Sequence, residues 1–288
     1  MMRVLSALLS ADPTPSVVDL GSWRASPRPA DPFAHAVLGG FHADRIGWAF
    51  ASGYQAAGRR LVPDLPDGAI FALCATEDGG NHPRAIQTRL DGGRLTGSKR
   101  FVTMGPHATA LVVIATTGPG EDGRPQLKAA VVSPETTGVT VQPGMELPFV
   151  PELPHGSITL EQAVPTRVLP GDGYSDHLKP FRTIEDTHVH AALLGHLVGI
   201  GRRSGWPPGE VEALLVLISA LAPLSASHRS PASHRLLGGI IAQTAQRVSA
   251  AASLPMEDAT RARWERDQPL LGIARKARDA RLRRARGA

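Results

Sequence analysis

Three regimes of apolar spacing divide the chain. Residues 1–31 are rich in Pro, Ser and Asp and carry little periodicity, which predicts a poorly ordered lead-in with one short apolar turn. Residues 32–61 then read as helix, because Ile46, Ala49, Phe50, Gly53, Tyr54 and Ala57 recur at i, i+3, i+4 spacing. Trp48 and His42 fall off that face, as a second contact surface or as exposed rings. Pro63 and Pro66 end the helix.

From 68 to 165 the period shortens. Apolar runs at Ile70–Ala75, Ala85–Leu90, Arg94–Thr103, Ala110–Thr116, Leu127–Val132, Val139–Gln142 and Ser157–Leu160 alternate with turn signals such as Asp91-Gly92-Gly93 and Thr137-Gly138. Short strands at this spacing predict a small barrel or sandwich. After Pro180 the period is helical again, with helices expected over Arg182–Gly201, 209–228, 231–252 and 257–285. Val211, Leu214, Leu215, Ile218 and Leu221 form one apolar face of the second. Pro223 is expected to kink it, Ser230-Pro231 to start the third, and Pro269 to bend or interrupt the fourth. Four helices on short loops predict an up-down bundle. The fold class is therefore α+β: a short helical segment (1–67), a β domain (68–175) and a C-terminal four-helix bundle (176–288).

Composition narrows the picture. At 288 residues, with 42% hydrophobic and 20% charged, the chain is long enough for a sizeable core. Its one cysteine, Cys74, rules out a disulfide framework and sits in an apolar run as a small buried side chain. No uninterrupted apolar stretch reaches the roughly 18 to 20 residues of a membrane helix, so a cytoplasmic protein without a membrane partner is expected. The net charge of +5 is uneven: from Asp258 onward ten Lys and Arg face four acids. Only Trp264 interleaves them, so nucleic acid is not the expected partner. The bland reading is a solvated or subunit-facing helix, the sharper one an anion or acidic-partner surface.

The chemistry concentrates in residues 71–105. Strand ends there carry Thr76 and Thr103, and Phe101 stands two residues before the second; this trio suits a flat polar ring system. Glu77 reads as structural at the Gly79-Gly80-Asn81 turn. His188 and His190, at i and i+2, do not share a helix face, and no metal site is expected. Leu237-Gly238-Gly239 lies in a helical pattern, where close helix packing is the expected use of glycine. Ser230 and His234 make no catalytic triad spacing.

With those residues in view, the chain resembles the acyl-CoA dehydrogenase family. Ala75-Thr76-Glu77 with the Gly/Asn turn is similar to that family's TE…GSD segment, and Lys99-Arg100-Phe101-Val102-Thr103 to its K-x-[W/F]-[I/V]-[T/S] segment. The run Val132-Ser133-Pro134-Glu135-Thr136-Thr137-Gly138-Val139 is similar to its V…TPGV turn, and Val164-Pro165 to the end of its barrel. The resemblance implies FAD as cofactor, contacted by Ala75, Thr76, Phe101 and Thr103. It implies an acyl-CoA or related small-molecule substrate near Asn81 and His82, which replace the family's Ser and Asp. The implied reaction is α,β-dehydrogenation, in which a carboxylate removes the α-proton and the flavin accepts the β-hydride.

Two departures shape the expectation. The N-terminal helical domain reads as one or two helices, which implies a homo-oligomer or a hetero-partner covering an open wall. The family's late catalytic Glu has no counterpart before the chain ends. Aligning on Ala191-Ala192-Leu193-Leu194-Gly195 offers Glu185 as the base; the same residue also suits a helix start, where a carboxylate meets the macrodipole. Arg229 and Arg235 are candidates for a flavin pyrophosphate across subunits. The alternatives are a non-catalytic subunit of this fold working beside a partner, and a flavin monooxygenase that needs no base.

Overall fold

The computed structural model describes every residue except Asp122, Met145, His228 and Ala288. Two units divide it. The first comprises Met1–Arg60, Pro148–Glu152 and Thr183–Ala288, and the second Leu61–Leu147 and Leu153–Arg182.

In the first unit the lead-in is not disordered. It forms α1 (Met2–Ser10) and α2 (Leu20–Ala25). Asp19 and Ser22 make a reciprocal capping box that starts α2, and Leu8, Val17 and Trp23 are buried. Trp23 stacks on Trp48 with centroids 6.0 Å apart, and its indole N–H donates to Ser52 Oγ at 3.2 Å. Trp48 is therefore core, not an exposed ring. The helix expected over 32–61 is two: α3 (Pro32–Phe41), capped by Asp31 with Pro32 in its first turn, and α4 (Ile46–Leu61). The break at 42–45 has a cause in hydrogen bonding. The His42 carbonyl accepts from Ser16 and Val17, and Asp44 N–H donates to Val17, so this backbone is used on the lead-in. Four N-terminal helices thus stand where one or two were expected.

The remaining helices are α5 (Lys179–Arg203), α6 (Pro208–Leu221), α7 (Pro231–Ala251), α8 (Asp258–Asp267) and α9 (Arg275–Arg286). Among the described residues five helices replace the expected four, because Pro269 sits in a 3-10 turn that separates α8 from α9. Pro223 likewise ends α6 in a 3-10 turn and does not kink a continuing helix. Ser230 caps α7 as expected, its Oγ accepting from Ser233 N–H at 3.0 Å. The stretch Pro208–Ser225 is apolar enough to pass for a membrane span, with a mean hydropathy of 1.4. Val211, Leu214, Ile218 and Leu221 nonetheless bury one face of it, as in an amphipathic core helix.

Helix α5 is buried along nearly its whole length from Thr183 onward. α3 and α4 lie on it backbone to backbone. A Cβ at Gly40 would collide with the Ala192 carbonyl, and one at Gly195 with the Val37 carbonyl. Gly238 of α7 receives Leu282 of α9, so the expected packing role of a glycine holds there.

The second unit is built on one open mixed sheet in the order β6-β7-β3-β2-β4-β5-β8. Its strands are β1 (Phe71–Cys74), β2 (Arg89–Asp91), β3 (Arg94–Thr103), β4 (Ala110–Pro119), β5 (Pro125–Val132), β6 (Val139–Pro143), β7 (His155–Ala163) and β8 (Arg167–Val168). β1 and β2 both pair parallel with β4, and β4 pairs antiparallel with β5. The barrel or sandwich expected from the sequence is thereby corrected: among the described residues β6 and β8 do not pair, and the sheet does not close. β8 spans two residues between Pro165 and Pro170, too few for a ladder on a second strand. Gly92 and Gly93, with φ of 52° and 75°, make the two-residue turn between β2 and β3. Leu95, Val102, Leu111, Val113 and Ile158 centre the core beneath.

Candidate functional site

The site begins at the end of β1. Beyond Cys74 the chain leaves its ladder on β4, and the Thr76 carbonyl accepts from Arg100 N–H at 2.8 Å. That bond sets Ala75-Thr76 beside Arg100-Phe101 of β3. Strand alternation alone would turn Phe101 inward, since Leu95 and Lys99 are buried. A register shift between Lys99 and Val102 inserts an extra residue. Lys99 and Val102 are then both at 0% exposure, while Arg100 and Phe101 point outward together. Phe101 is 65% exposed and has φ 53°. A bulky side chain in the left-handed region costs about 1–2 kcal/mol and marks a place where the surroundings hold the backbone against its preference. Thr103, half-buried, comes out on the same side as Phe101. The hydroxyls of Thr76 and Thr103 have no partner among the described residues.

What holds the bulge is an ion pair beneath it. Glu77 Oε1 lies 2.6 Å from Lys99 Nζ, which also donates to the Ile114 carbonyl at 2.5 Å. The Glu77 carboxylate further accepts from the N–H groups of Gln87 at 2.7 Å and Thr88 at 3.1 Å. Burial works against the charged carboxylate, but Lys99 and the two backbone donors outweigh it and lower its pKa. Burial is the larger influence on Lys99 and lowers the ammonium pKa despite Glu77. The structural role expected of Glu77 is met. Lys99 was missed as its partner, although strand alternation from Leu95 places it on the core face, where a charge requires a counter-charge.

The loop after Glu77 closes on itself through paired backbone bonds between Glu77 and Gly80. Asn81 and His82 follow, both exposed. Asn81 Oδ1 accepts from Arg182 at 3.0 Å, and His82 Nδ1 accepts from Arg84 N–H at 3.3 Å. His82 and Arg84 edge a cavity of about 860 Å³, with Arg124, Gln126, Asp172 and Tyr174 also lining it. Asp172 is already engaged there, its carboxylate accepting from the N–H groups of Tyr174 and Ser175. The guanidinium groups of Arg84 and Arg124 suit a phosphate-bearing ligand. No motif in the sequence linked residues 82–84 to the turn at 120–126; the sheet order does.

Glu185 belongs to the first unit, in the second turn of α5, and is half-buried. The helix starts before it, so the helix-start reading is not the one the structure gives. Its neighbour Asp186 is fully engaged, 2.7 Å from Arg278 and 2.6 Å from Arg281 of α9. Burial raises the Asp186 pKa, but the two guanidinium groups outweigh it and hold the carboxyl below its ordinary range. His188 Nδ1 donates to the Ile184 carbonyl and His190 Nδ1 to the Asp186 carbonyl, each at 2.7 Å. Cys74 is buried, and its thiol is pushed up to about 12. Arg229 and Arg235 are exposed around the start of α7.

No protein-family model and no curated protein matches the chain. Solved structures do. An acyl-CoA dehydrogenase from Geobacillus kaustophilus is 17% identical with a TM-score of 0.60, over 98% of this chain and 96% of that one. PigA, determined with FAD and proline, is 14% identical with a TM-score of 0.64, over 99% and 93%. The prolyl acyl carrier protein oxidase AnaB is 15% identical with a TM-score of 0.59, over 99% and 91%. At these identities the likeness is one of fold, and the fold of this chain is that of the acyl-CoA dehydrogenases.

Proposed function

We propose that the chain is an FAD-dependent oxidoreductase that dehydrogenates an acyl thioester. The observation that carries this reading is Phe101, held outward at φ 53° on a bulge between two half-buried threonines whose hydroxyls have no protein partner. A strained aromatic kept at the surface is expected where a ligand covers it. The rim of a planar heteroaromatic ring needs an aromatic face and hydrogen-bond donors, which Ala75-Thr76, Phe101 and Thr103 supply, so these residues fit FAD. The kinship in fold with PigA, whose structure contains FAD, supports the same assignment.

When bound, FAD supplies the two-electron acceptor. The chain's own residues do the rest. Thr76 and Thr103 would hold the ring by hydrogen bonds, and Phe101 would cover it. His82, next to Asn81 in the chain, lines the cavity with Arg84 and Arg124, and these guanidinium groups would hold the phosphate of a pantetheine arm. Glu185, half-buried in α5, would be the base that takes the α-proton of the thioester.

The visible spectrum of the purified protein tests the cofactor. A flavin band is expected, and a colourless protein that FAD does not reconstitute overturns the reading. Anaerobic mixing with an acyl-pantetheine thioester tests the reaction. Bleaching of the flavin band is expected, reduced by about 10²- to 10⁴-fold in rate by Glu185→Gln with the spectrum retained. Undiminished bleaching in that variant removes Glu185 as the base.

A further inference from the structure

Elsewhere in the first unit arginines find a partner or water. Arg45 and Arg266 engage Glu152, Arg278 and Arg281 engage Asp186, and Arg202 donates to the carbonyls of Leu8 and Ala11. Arg3, Arg24 and Arg235 are exposed. Arg203 and Arg263 do neither. Both terminal nitrogens of Arg203 and Nε of Arg263 are enclosed and, among the described residues, meet no hydrogen-bond acceptor.

These donors gather at one place in the unit. His196, Gly199 and Arg203 of α5 stand at i, i+3 and i+7, on one helix face. His196 Nδ1 donates to the Ala43 carbonyl at 3.0 Å, and its ring stacks on Trp264 of α8 with centroids 6.3 Å apart. A Cβ at Gly199 would stand 2.7 Å from the Phe41 carbonyl and 3.4 Å from Arg203 Nη1, so the guanidinium lies back along its own helix beside the 41–44 corner. Arg263, next to Trp264 in α8, places Nε 3.9 Å from Asp44 Oδ2 at the same corner. Trp264 Nε1 is a further enclosed donor without an acceptor.

The nearby acids do not satisfy them. Asp44 holds Arg45 with both oxygens, each at 2.7 Å, and 3.9 Å is beyond hydrogen-bond reach of Arg263. Glu257 is exposed, and its carboxylate meets Thr260 Oγ1 at 3.5 Å. Burial is the largest influence on Arg203 and lowers its pKa, with Arg263 adding to it against Glu257 and Asp44. An enclosed guanidinium N–H without an acceptor has lost its hydration with nothing in exchange. A water molecule would accept hydrogen bonds but leave two cations repelling each other. An anion answers both needs. Enclosure limits it to a few atoms, and the steep cost of dehydrating a doubly charged ion favours a single charge.

We propose that Arg203 and Arg263 hold a monovalent inorganic anion, chloride, where α5, α8 and the 41–44 corner of the first unit meet. The ion joins three segments that are distant in sequence. The site is separate from the cavity at Arg84, which belongs to the second unit, and it does not depend on the oxidoreductase reading.

The test is urea unfolding of the full chain while sodium chloride replaces sodium gluconate at constant ionic strength. Above the dissociation constant of the ion, the ratio of folded to unfolded protein should rise by about tenfold for each tenfold increase in chloride. Arg203→Met removes both terminal donors and one charge, and its midpoint should no longer respond to chloride; the exposed-site variant Arg3→Gln should respond as the wild type does. A wild-type midpoint that ignores chloride overturns the proposal and leaves water as the occupant. A response that persists in Arg203→Met overturns it as well. Should Arg203→Met fail to fold, crystals of the wild type soaked in sodium bromide decide the matter. An anomalous peak beside the Arg203 guanidinium is expected, and its absence refutes the site.

Discussion

Lys99 and Glu77 lie 22 residues apart in the chain and 2.6 Å apart in space, with the lysine fully enclosed. The pair sits directly under the bulge that turns Phe101 outward, so it joins the stability of the sheet unit to the shape of its outer surface. Lys99→Ala leaves the Glu77 carboxylate buried against two backbone donors without its cation. A loss of roughly 3–5 kcal/mol in urea unfolding is expected, as for other broken buried pairs. A cost below about 1 kcal/mol would show that the pair is not what holds the bulge.

Phe101 gives a prediction of opposite sign. Glycine adopts φ 53° without strain, and the 65% exposed ring forfeits little burial. Phe101→Gly should therefore leave stability unchanged or raise it by about 1 kcal/mol, while weakening FAD retention during gel filtration. A variant that is both less stable and fully yellow would place the ring in the core and away from the cofactor.

Asp186 joins α5 to α9 through two guanidinium groups. Asp186→Asn keeps the shape and removes the charge, leaving Arg278 and Arg281 to repel each other across a partly buried site. A cost of roughly 3–5 kcal/mol is expected. Trypsin should then cut within Arg275–Arg286 sooner than in the wild type; an unchanged cleavage pattern would show that α9 is held by other means.

Three buried histidines set a pH dependence. His35 is lowered to about 3, by burial first and then by Arg28 and Arg59. His190 is lowered to about 4, by burial and then Arg278 against the opposing pull of Asp186. His196 is lowered to about 3, by burial and then Arg203. Each is neutral when folded and takes a proton when unfolded below the ordinary value of 6.5. Their contribution is therefore complete above that value and is lost as pH falls toward 4 and below. Together they should make the protein about 4 kcal/mol less stable at pH 5.5 than at pH 7.5. Urea titrations at the two values check this, and equal midpoints would mean that the rings are hydrated and titrate normally.

Legibility in the sequence followed the range of the forces involved. β3 was bounded correctly at Arg94–Thr103 because alternation and the Gly92-Gly93 turn are local. The start of α7 was legible for the same reason, through Ser230-Pro231. α1 and α2 were hidden because they are short and owe their order to burial of Leu8 and Trp23 elsewhere in the unit. The open sheet was hidden because closure depends on what the two-residue β8 pairs with. In the candidate site, Thr76 and Phe101 were readable as neighbouring strand ends. The bulge that exposes Phe101 was not, since it arises from a register shift against β7 that no local pattern announces.

Gly40 and Gly195, which leave α3 and α5 in backbone contact, bear on how this protein can be engineered. Side-chain diversity introduced at either position would read out as failure to fold, whatever its effect on turnover. Gly92, with open space where a Cβ would stand and φ 52°, needs glycine only for its left-handed backbone, and asparagine can take that role. A library meant to alter substrate choice is best confined to exposed loop positions such as Asn81, His82 and Arg84, with the helix-crossing glycines left untouched.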